Sequence, residues 1–260
     1  MKSWTITLGV VLLLAIVSAG VSYTILNTGI NGARTEIAAL QADIQNLQAG
    51  GQPATTTTGT ARLSMIDLIS EIQPIVVRVD VTGSGFQASG SGVIFQGDGH
   101  IITNAHVVEG ATSVQVTLHN EQEYGATVVS SDSNIDLAII KLTDAPPNLP
   151  VAVLGTEADI VTGGVAVAAG FPLGPGLPGP ASFTQGIVSA IRILDNQRFV
   201  QTDVQINPGN SGGALLDRST GKVIGITTAG VILAGQDVEG IGLAIPIDVI
   251  RTYIQDNIAQ

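Results

Sequence analysis

The chain has 260 residues, of which 45% are hydrophobic, 12% charged and 3% aromatic, with 32 glycines, no cysteine and a formal net charge of −11. Low charge and high apolar content exclude intrinsic disorder for the chain as a whole, and the length suits one large domain or two small ones. From Leu63 onward seven Lys or Arg face nineteen Asp or Glu, which argues against nucleic acid as a partner, while the lack of cysteine excludes disulfides, thiol catalysis and cysteine-ligated zinc.

Between Lys2 and Arg34 there is no charge, and the apolar run from Trp4 to Leu26 is long enough to cross a hydrocarbon layer of about 30 Å. This predicts a transmembrane anchor over residues 1–29, single-pass, with Lys2 cytoplasmic and the remainder extracytoplasmic. The rival is a cleavable signal peptide, since Val17 and Ala19 have a permissible cleavage spacing. Continuation of the run to Leu26 favours a retained anchor. Next, Ile30, Ala33, Ile37, Leu40, Ile44 and Leu47 form a heptad seam over residues 30–48, fitting either a short self-associating coil or a solitary amphipathic helix. The Gly- and Thr-rich stretch 49–62 reads as a flexible linker, and the folded domain is expected over 63–260.

Within that domain, Ser64 and Asp67 are spaced as a capping box for a helix to Ile72, which Pro74 ends. Thirteen strand-like runs follow: 75–82, 92–95, 100–103, 114–118, 126–129, 137–142, 151–154, 165–169, 185–193, 199–202, 214–216, 223–228 and 240–245. Gly97-Asp98-Gly99 reads as a hairpin turn between two of them. Many short strands with turn signals predict an all-β barrel or sandwich. After Pro246 a final helix presents Ile247, Ile250, Ile254 and Ile258 as one stripe. Gly83-Ser84-Gly85-Phe86-Gln87-Ala88 matches a dinucleotide fingerprint in letters only. The following segment reads as strand, so no helix N-terminus is available for a pyrophosphate. No residue pattern calls for a metal or a cofactor.

Three segments carry chemistry. Thr103-Asn104-Ala105-His106 sets a histidine after an apolar run, Asn134-Ile135-Asp136 sets a lone carboxylate before another, and Gly209-Asn210-Ser211-Gly212-Gly213 sets a serine in a glycine turn. Acyl transfer by serine needs an imidazole base, a carboxylate to orient it, and backbone N–H groups aimed at the oxyanion. Singly, each segment also fits an ordinary structural role.

Together and in this order, with Gly90-Ser91-Gly92-Val93-Ile94 before the histidine and Gly240-Ile241-Gly242-Leu243-Ala244-Ile245-Pro246 near the end, the chain resembles the HtrA/Deg family of trypsin-like serine proteases. The resemblance covers Leu63 to the C-terminus. It implies two six-stranded antiparallel β-barrels with the triad between them: His106 as base, Asp136 as orienting carboxylate and Ser211 as nucleophile. His100, His119 and Asp132 are the rivals, and each sits in a turn or polar loop. The N–H groups of Gly209 and Ser211, with Asn210 between, would form the oxyanion hole. Asn210 stands where digestive relatives carry an acid that pairs with a newly cut amino terminus, so no zymogen cleavage is expected. The pocket would have Gln205 and Ile206 at its base, with Thr228, Ala229 and Gly230 opposite, forming a slot for small apolar side chains.

The family's usual PDZ domain is not expected, because the sequence ends just after the terminal helix. The family's trimeric assembly makes a homo-oligomer possible, but no aromatic residue lies between Leu63 and Gly85 to support its usual contact. The function expected is that of a membrane-anchored serine endopeptidase acting on unfolded or damaged proteins. A catalytically silent peptide-binding module of the same fold is the alternative. A non-proteolytic acyl hydrolase is a further one, disfavoured because no Gly-x-Ser-x-Gly elbow stands between a strand and a helix and the order is His-Asp-Ser, not Ser-Asp-His.

Overall fold

The computed structural model describes residues 64–233 and 236–258, with side chains given outside 229–239. The expected anchor, heptad helix and linker over 1–62 lie outside the described residues. Among the described residues no helix is long and apolar enough to cross a membrane.

Helix α1 (Met65–Ile72) begins as its capping box dictates: the Ser64 hydroxyl accepts the Asp67 N–H, and the Asp67 carboxylate accepts the Ser64 N–H. A 3-10 turn containing Pro74 then leads into β1 (Val76–Gly83) and β2 (Phe86–Gln96). These two strands pair antiparallel around a tight turn in which Gly85 takes a left-handed φ of 86°. The fingerprint-like glycines therefore make a hairpin, and they open no helix. Next come β3 (His100–Thr103), a one-turn helix α2 (Ala105–Val108), β4 (Ala111–Thr117), β5 (Glu123–Asp132) and β6 (Leu137–Leu142). The second half holds β7 (Val165–Gly170), β8 (Ser182–Leu194), β9 (Gln197–Thr202), β10 (Ala214–Asp217), β11 (Val223–Leu233) and β12 (Gln236–Pro246), then α3 (Ile247–Asn257). The strands close into two antiparallel barrels of six, ordered β1-β2-β3-β6-β5-β4 and β10-β11-β12-β9-β8-β7.

One predicted strand is not one. Residues 151–154 form a connector between the barrels, with only a single bridge from Leu154 to Val223. Its backbone bonds are divided: the Ala152 N–H donates to Ile94 of β2, whereas Val153 and Gly155 bond Val223 of β11. The run looks strand-like because Ala152 is buried while Val151 and Val153 face out at 45% and 64% exposure.

Successive residues of a strand point to opposite faces, and here both faces are often buried. Val77, Val79, Ile94, Ile101 and Ile140 fill the first barrel. Ala166, Ala168, Leu215 and Ile224 fill the second. The alternate residues Ile102, Ile139, Val167 and Leu216 join a third cluster, which contains residues of both barrels and Leu68, Ile247 and Ile250 of the helices. That layering explains why Leu137–Leu142 lacks the polar alternation of a half-exposed strand. It also fixes β3, β6, β10 and β11 against one another at the level of the candidate site.

Candidate functional site

His106 stands on α2, whose other three residues, Ala105, Val107 and Val108, are buried. Its imidazole is therefore the one side chain of that turn free to face out. Asn104, immediately before the helix, is fully buried and donates its side-chain amide to the backbone carbonyl of Asp136 at 2.8 Å. Asp136 precedes β6 with a left-handed φ of 54°, a conformation costly for a residue with a Cβ and found where surrounding contacts enforce it. Those contacts are several. His106 Nδ1 lies 2.9 Å from both Oδ1 and Oδ2, the His106 backbone N–H donates to Oδ1 at 3.1 Å, and the Thr228 hydroxyl donates to Oδ2 at 2.8 Å.

Burial is the largest single influence on the Asp136 carboxyl and pushes it upward, but the bonds from His106 and Thr228 together outweigh it, and its pKa is lowered. The carboxylate is therefore anionic at neutral pH. An ionised carboxylate only accepts hydrogen bonds, so Nδ1 carries a hydrogen, and in the neutral imidazole the acceptor is then Nε2.

Ser211 lies in the turn from Asn207 to Gly213. Asn210 N–H bonds the Asn207 carbonyl and Gly213 N–H bonds the Asn210 carbonyl, each at 2.9 Å. Thr227 clamps the turn from β11: its hydroxyl donates to the Asn210 carbonyl at 2.6 Å and its carbonyl accepts the Gly212 N–H at 2.8 Å. From the first barrel, Ser91 N–H donates to the Ser211 carbonyl at 2.8 Å. Gly90 lets the two halves meet, for a Cβ there would come within 2.8 Å of Val107, the neighbour of His106, and 3.1 Å of the Ser211 carbonyl. Gly209 takes φ 98°, and among the described residues neither its N–H nor that of Ser211 donates to a protein acceptor. Two donors at alternate positions of one tight turn suit a single anionic oxygen.

Around the proposed pocket the five residues take different positions. Ile206 packs over Gly242 of β12, where an added Cβ would meet its Cδ1 at 2.6 Å. The Gln205 side chain is exposed, and its carbonyl accepts the Thr184 hydroxyl at 3.1 Å. Thr228 is buried with its hydroxyl turned to Asp136, so only its backbone and methyl are free to act as a wall. For Ala229 and Gly230 the description is limited to the β11 backbone, in which Gly230 pairs with Gly242. Asp203, the carboxylate nearest this stretch in sequence, is occupied by the Ile187 N–H at 2.6 Å.

The rival residues are engaged elsewhere or stand apart. His100 pairs with Asp98 at 2.7 Å, Asp132 accepts the Asn134 N–H at 2.8 Å, and His119 is exposed after β4. Sequence reading gave no role to Asn104 and missed the hydroxyls of Thr228, Thr227 and Ser91. Asn104 and Ser91 stand inside quoted motifs, but nothing in their spacing tells which hydroxyl or amide turns toward the site.

A paired imidazole and carboxylate, a serine in a glycine turn, and two closed six-stranded barrels define a protein of the trypsin-like serine peptidase class. Residues 90–226 match the trypsin-like peptidase domain, and the chain belongs to that family. Its relatives are HtrA-type proteases. The chain is 41% identical over 184 residues to the serine protease Do-like HtrA of Bacillus subtilis, covering 66% of this chain and 40% of that protein. It is 40% identical over 212 residues to the chloroplastic protease Do-like 1 of Arabidopsis thaliana, covering 74% and 46%. A probable periplasmic serine endoprotease, DegP-like, of Halomonas elongata is 45% identical over 164 residues, covering 62% and 33%. The solved structure of the HtrA-type protease AlgW with a tripeptide matches with a TM-score of 0.67 and 38% identity, over 74% of this chain and 63% of that one. The chain thus spans less than half the length of these curated relatives.

Proposed function

We propose that the chain is a serine endopeptidase in which Ser211 is the nucleophile, His106 the general base and Asp136 the orienting carboxylate. The observation that carries this reading is the double contact of His106 Nδ1 with both Asp136 oxygens at 2.9 Å. It leaves Nε2 to take the Ser211 hydroxyl proton as the oxygen attacks the scissile carbonyl. The carbonyl oxygen becomes an oxyanion and accepts from the Gly209 and Ser211 N–H groups beside Asn210. The imidazolium, stabilised by Asp136, then gives its proton to the leaving amine as the C–N bond breaks. Water repeats the sequence on the acyl-enzyme: His106 takes its proton, the carboxylic acid departs, and Ser211 regains its hydrogen.

Side-chain selection falls to Ile206 with Gln205 at the base and Thr228, Ala229 and Gly230 opposite. A base of Ile206 and Gln205, neither of them a carboxylate, suits Val, Ala, Ile or Leu before the cut, since an unpaired Lys or Arg would lose solvation without compensation. Unfolded or damaged proteins are the substrate class that the HtrA resemblance implies, and the relatives named as serine proteases support proteolysis itself. The apolar run 4–26 supports membrane attachment with an extracytoplasmic protease domain, in line with the periplasmic relatives by name. The seam over 30–48 supports a homo-oligomer; a trimer is what the family resemblance alone implies, without the aromatic contact that usually accompanies it.

Labelling with a fluorophosphonate probe tests the reading. Modification of Ser211, lost in Ser211→Ala, together with digestion of a denatured protein, is the expected result. An unlabelled, inert chain would point to a silent peptide-binding module. Retention in the membrane fraction on alkaline extraction is the expected result for the anchor, and a mature amino terminus at Gly20 would identify a cleaved signal.

A further inference from the structure

We propose that Ser91 is a positioning residue for the oxyanion hole, holding from behind both residues whose N–H groups form it. The inference rests on the reading of Gly209 and Ser211 as oxyanion donors. Ser91 lies in β2 of the first barrel with no exposure, and it makes four hydrogen bonds. Its N–H donates to the Ser211 carbonyl at 2.8 Å, and its carbonyl accepts the Thr103 hydroxyl at 2.7 Å. Its own hydroxyl donates to the Gly209 carbonyl at 2.7 Å and accepts the Phe171 N–H at 2.9 Å.

The peptide unit is planar, so gripping the Gly209 carbonyl fixes the Gly209–Asn210 peptide. On the other side, the Pro208 carbonyl accepts the Leu173 N–H at 2.8 Å, which fixes the peptide that carries the Gly209 N–H. Gly209, left-handed and without a Cβ, has no steric preference of its own for this conformation. External hydrogen bonds must therefore hold it. The Ser91 hydroxyl is central because it serves as donor and acceptor at once, coupling the segment that begins at Phe171 to the oxyanion turn. Gly170 packs closely beside it, since a Cβ there would come within 3.0 Å of Ser91 Oγ. An alanine at 91 leaves the partly buried Gly209 carbonyl and the buried Phe171 N–H unpaired, which both groups relieve by turning away.

The test compares wild type, Ser91→Ala and Ser91→Cys, the last keeping the shape with a poor donor. Hydrolysis of a peptide p-nitroanilide with valine before the scissile bond gives kcat and KM. Affinity is measured for a peptide aldehyde, whose adduct with Ser211 places an oxyanion in the hole, and for the corresponding product peptide. Ser91→Ala is expected to lower kcat by about tenfold to a hundredfold with KM within about twofold. Aldehyde affinity should fall with kcat while product-peptide affinity holds. Ser91→Cys should follow Ser91→Ala, and it carries the comparison alone if the alanine variant does not fold. An active wild type whose variants keep kcat overturns the role of Ser91 and leaves the endopeptidase reading intact. Equal loss of aldehyde and product affinity also overturns it, by showing a general disturbance of the fold. A wild type inert toward peptide and fluorophosphonate overturns both readings.

Discussion

Thr228 donates its hydroxyl hydrogen to Oδ2 of Asp136 at 2.8 Å, so a residue of the second barrel completes the hydrogen-bond shell of a carboxylate held by the first. The adjacent residue Thr227 clamps the turn that carries Ser211. Two neighbouring threonines on β11 thereby tie the acid and the proposed nucleophile to one strand. Relative displacement of the barrels would break the Thr228–Asp136 contact while leaving the Thr227 clamp, which lies within the second barrel, in place; the apolar layer shared by both barrels resists that motion.

Thr228→Val keeps the shape and removes the donor. A hydrogen bond to a charged group contributes about 1.5–3 kcal/mol, so a loss of about tenfold to a hundredfold in kcat/KM is expected. The Asp136 pKa should rise, because one group that favours its charged form has gone. A folded-state pKa that is lowered contributes stability above the ordinary carboxylate range, and that contribution disappears as pH falls through the folded value. The acid unfolding limb of the variant should therefore begin at higher pH, as followed by circular dichroism.

Ser211→Ala should abolish proteolysis with the fold intact, and His106→Ala should be nearly as damaging. The double variant should be no worse than either single one, because these groups act as a unit. Steady-state hydrolysis of a denatured protein checks it, and more than trace activity in pure Ser211→Ala would remove Ser211 from its assigned role.

Gly209→Ala introduces a Cβ that collides with the Phe171 carbonyl and lies 2.8 Å from the Leu173 N, at a φ of 98° that side chains rarely adopt. Both obstacles are backbone atoms, so the turn must move. Expected is a loss of about a hundredfold or more in kcat, the scale for removing one oxyanion donor, with the imidazole still reactive toward an alkylating peptide. Unchanged turnover would show that Gly209 N–H is not a donor to the substrate.

Terminal sequencing of products should show cuts after Val, Ala, Ile and Leu, with Val commonest and few after Lys or Arg. Full burial of such a side chain contributes roughly 1.5–3 kcal/mol. Gly242→Ala presses a methyl against Ile206 Cδ1, so the preference should move toward Ala. A majority of cuts after Lys or Arg in wild type would remove Ile206 from the pocket base.

Away from the site, Asp98 is held down to about 2, chiefly by its bond to Lys141, then against burial by His100. Its contribution is full above the ordinary carboxylate value and is lost as pH falls toward 2. Asp98→Asn should lower stability at pH 7 and have little effect at pH 2. The side chain is 59% exposed, so the loss at pH 7 should stay below about 1 kcal/mol. Chemical denaturation at the two pH values measures it.

Local chemistry made much of this chain legible from its residues alone. The capping box at Ser64 and Asp67, the limits of β3 and β6, and the helix after Pro246 follow from side-chain periodicity and from what Ser, Gly and Pro do to backbone. The order His106, Asp136, Ser211 carried the family resemblance. Tertiary structure decided what depends on contacts between residues far apart in sequence. Residues 151–154 are a connector because their hydrogen bonds are shared between two barrels, which no local pattern records. The Thr228 hydroxyl faces Asp136 across 92 residues although strand alternation alone fits it equally as a pocket wall. Ser91 meets Gly209 across 118 residues, and Asp136 holds a left-handed backbone because Asn104, His106 and Thr228 surround it. Sequence spacing names the groups able to make such bonds, but direction and distance are set only when the barrels close and pack.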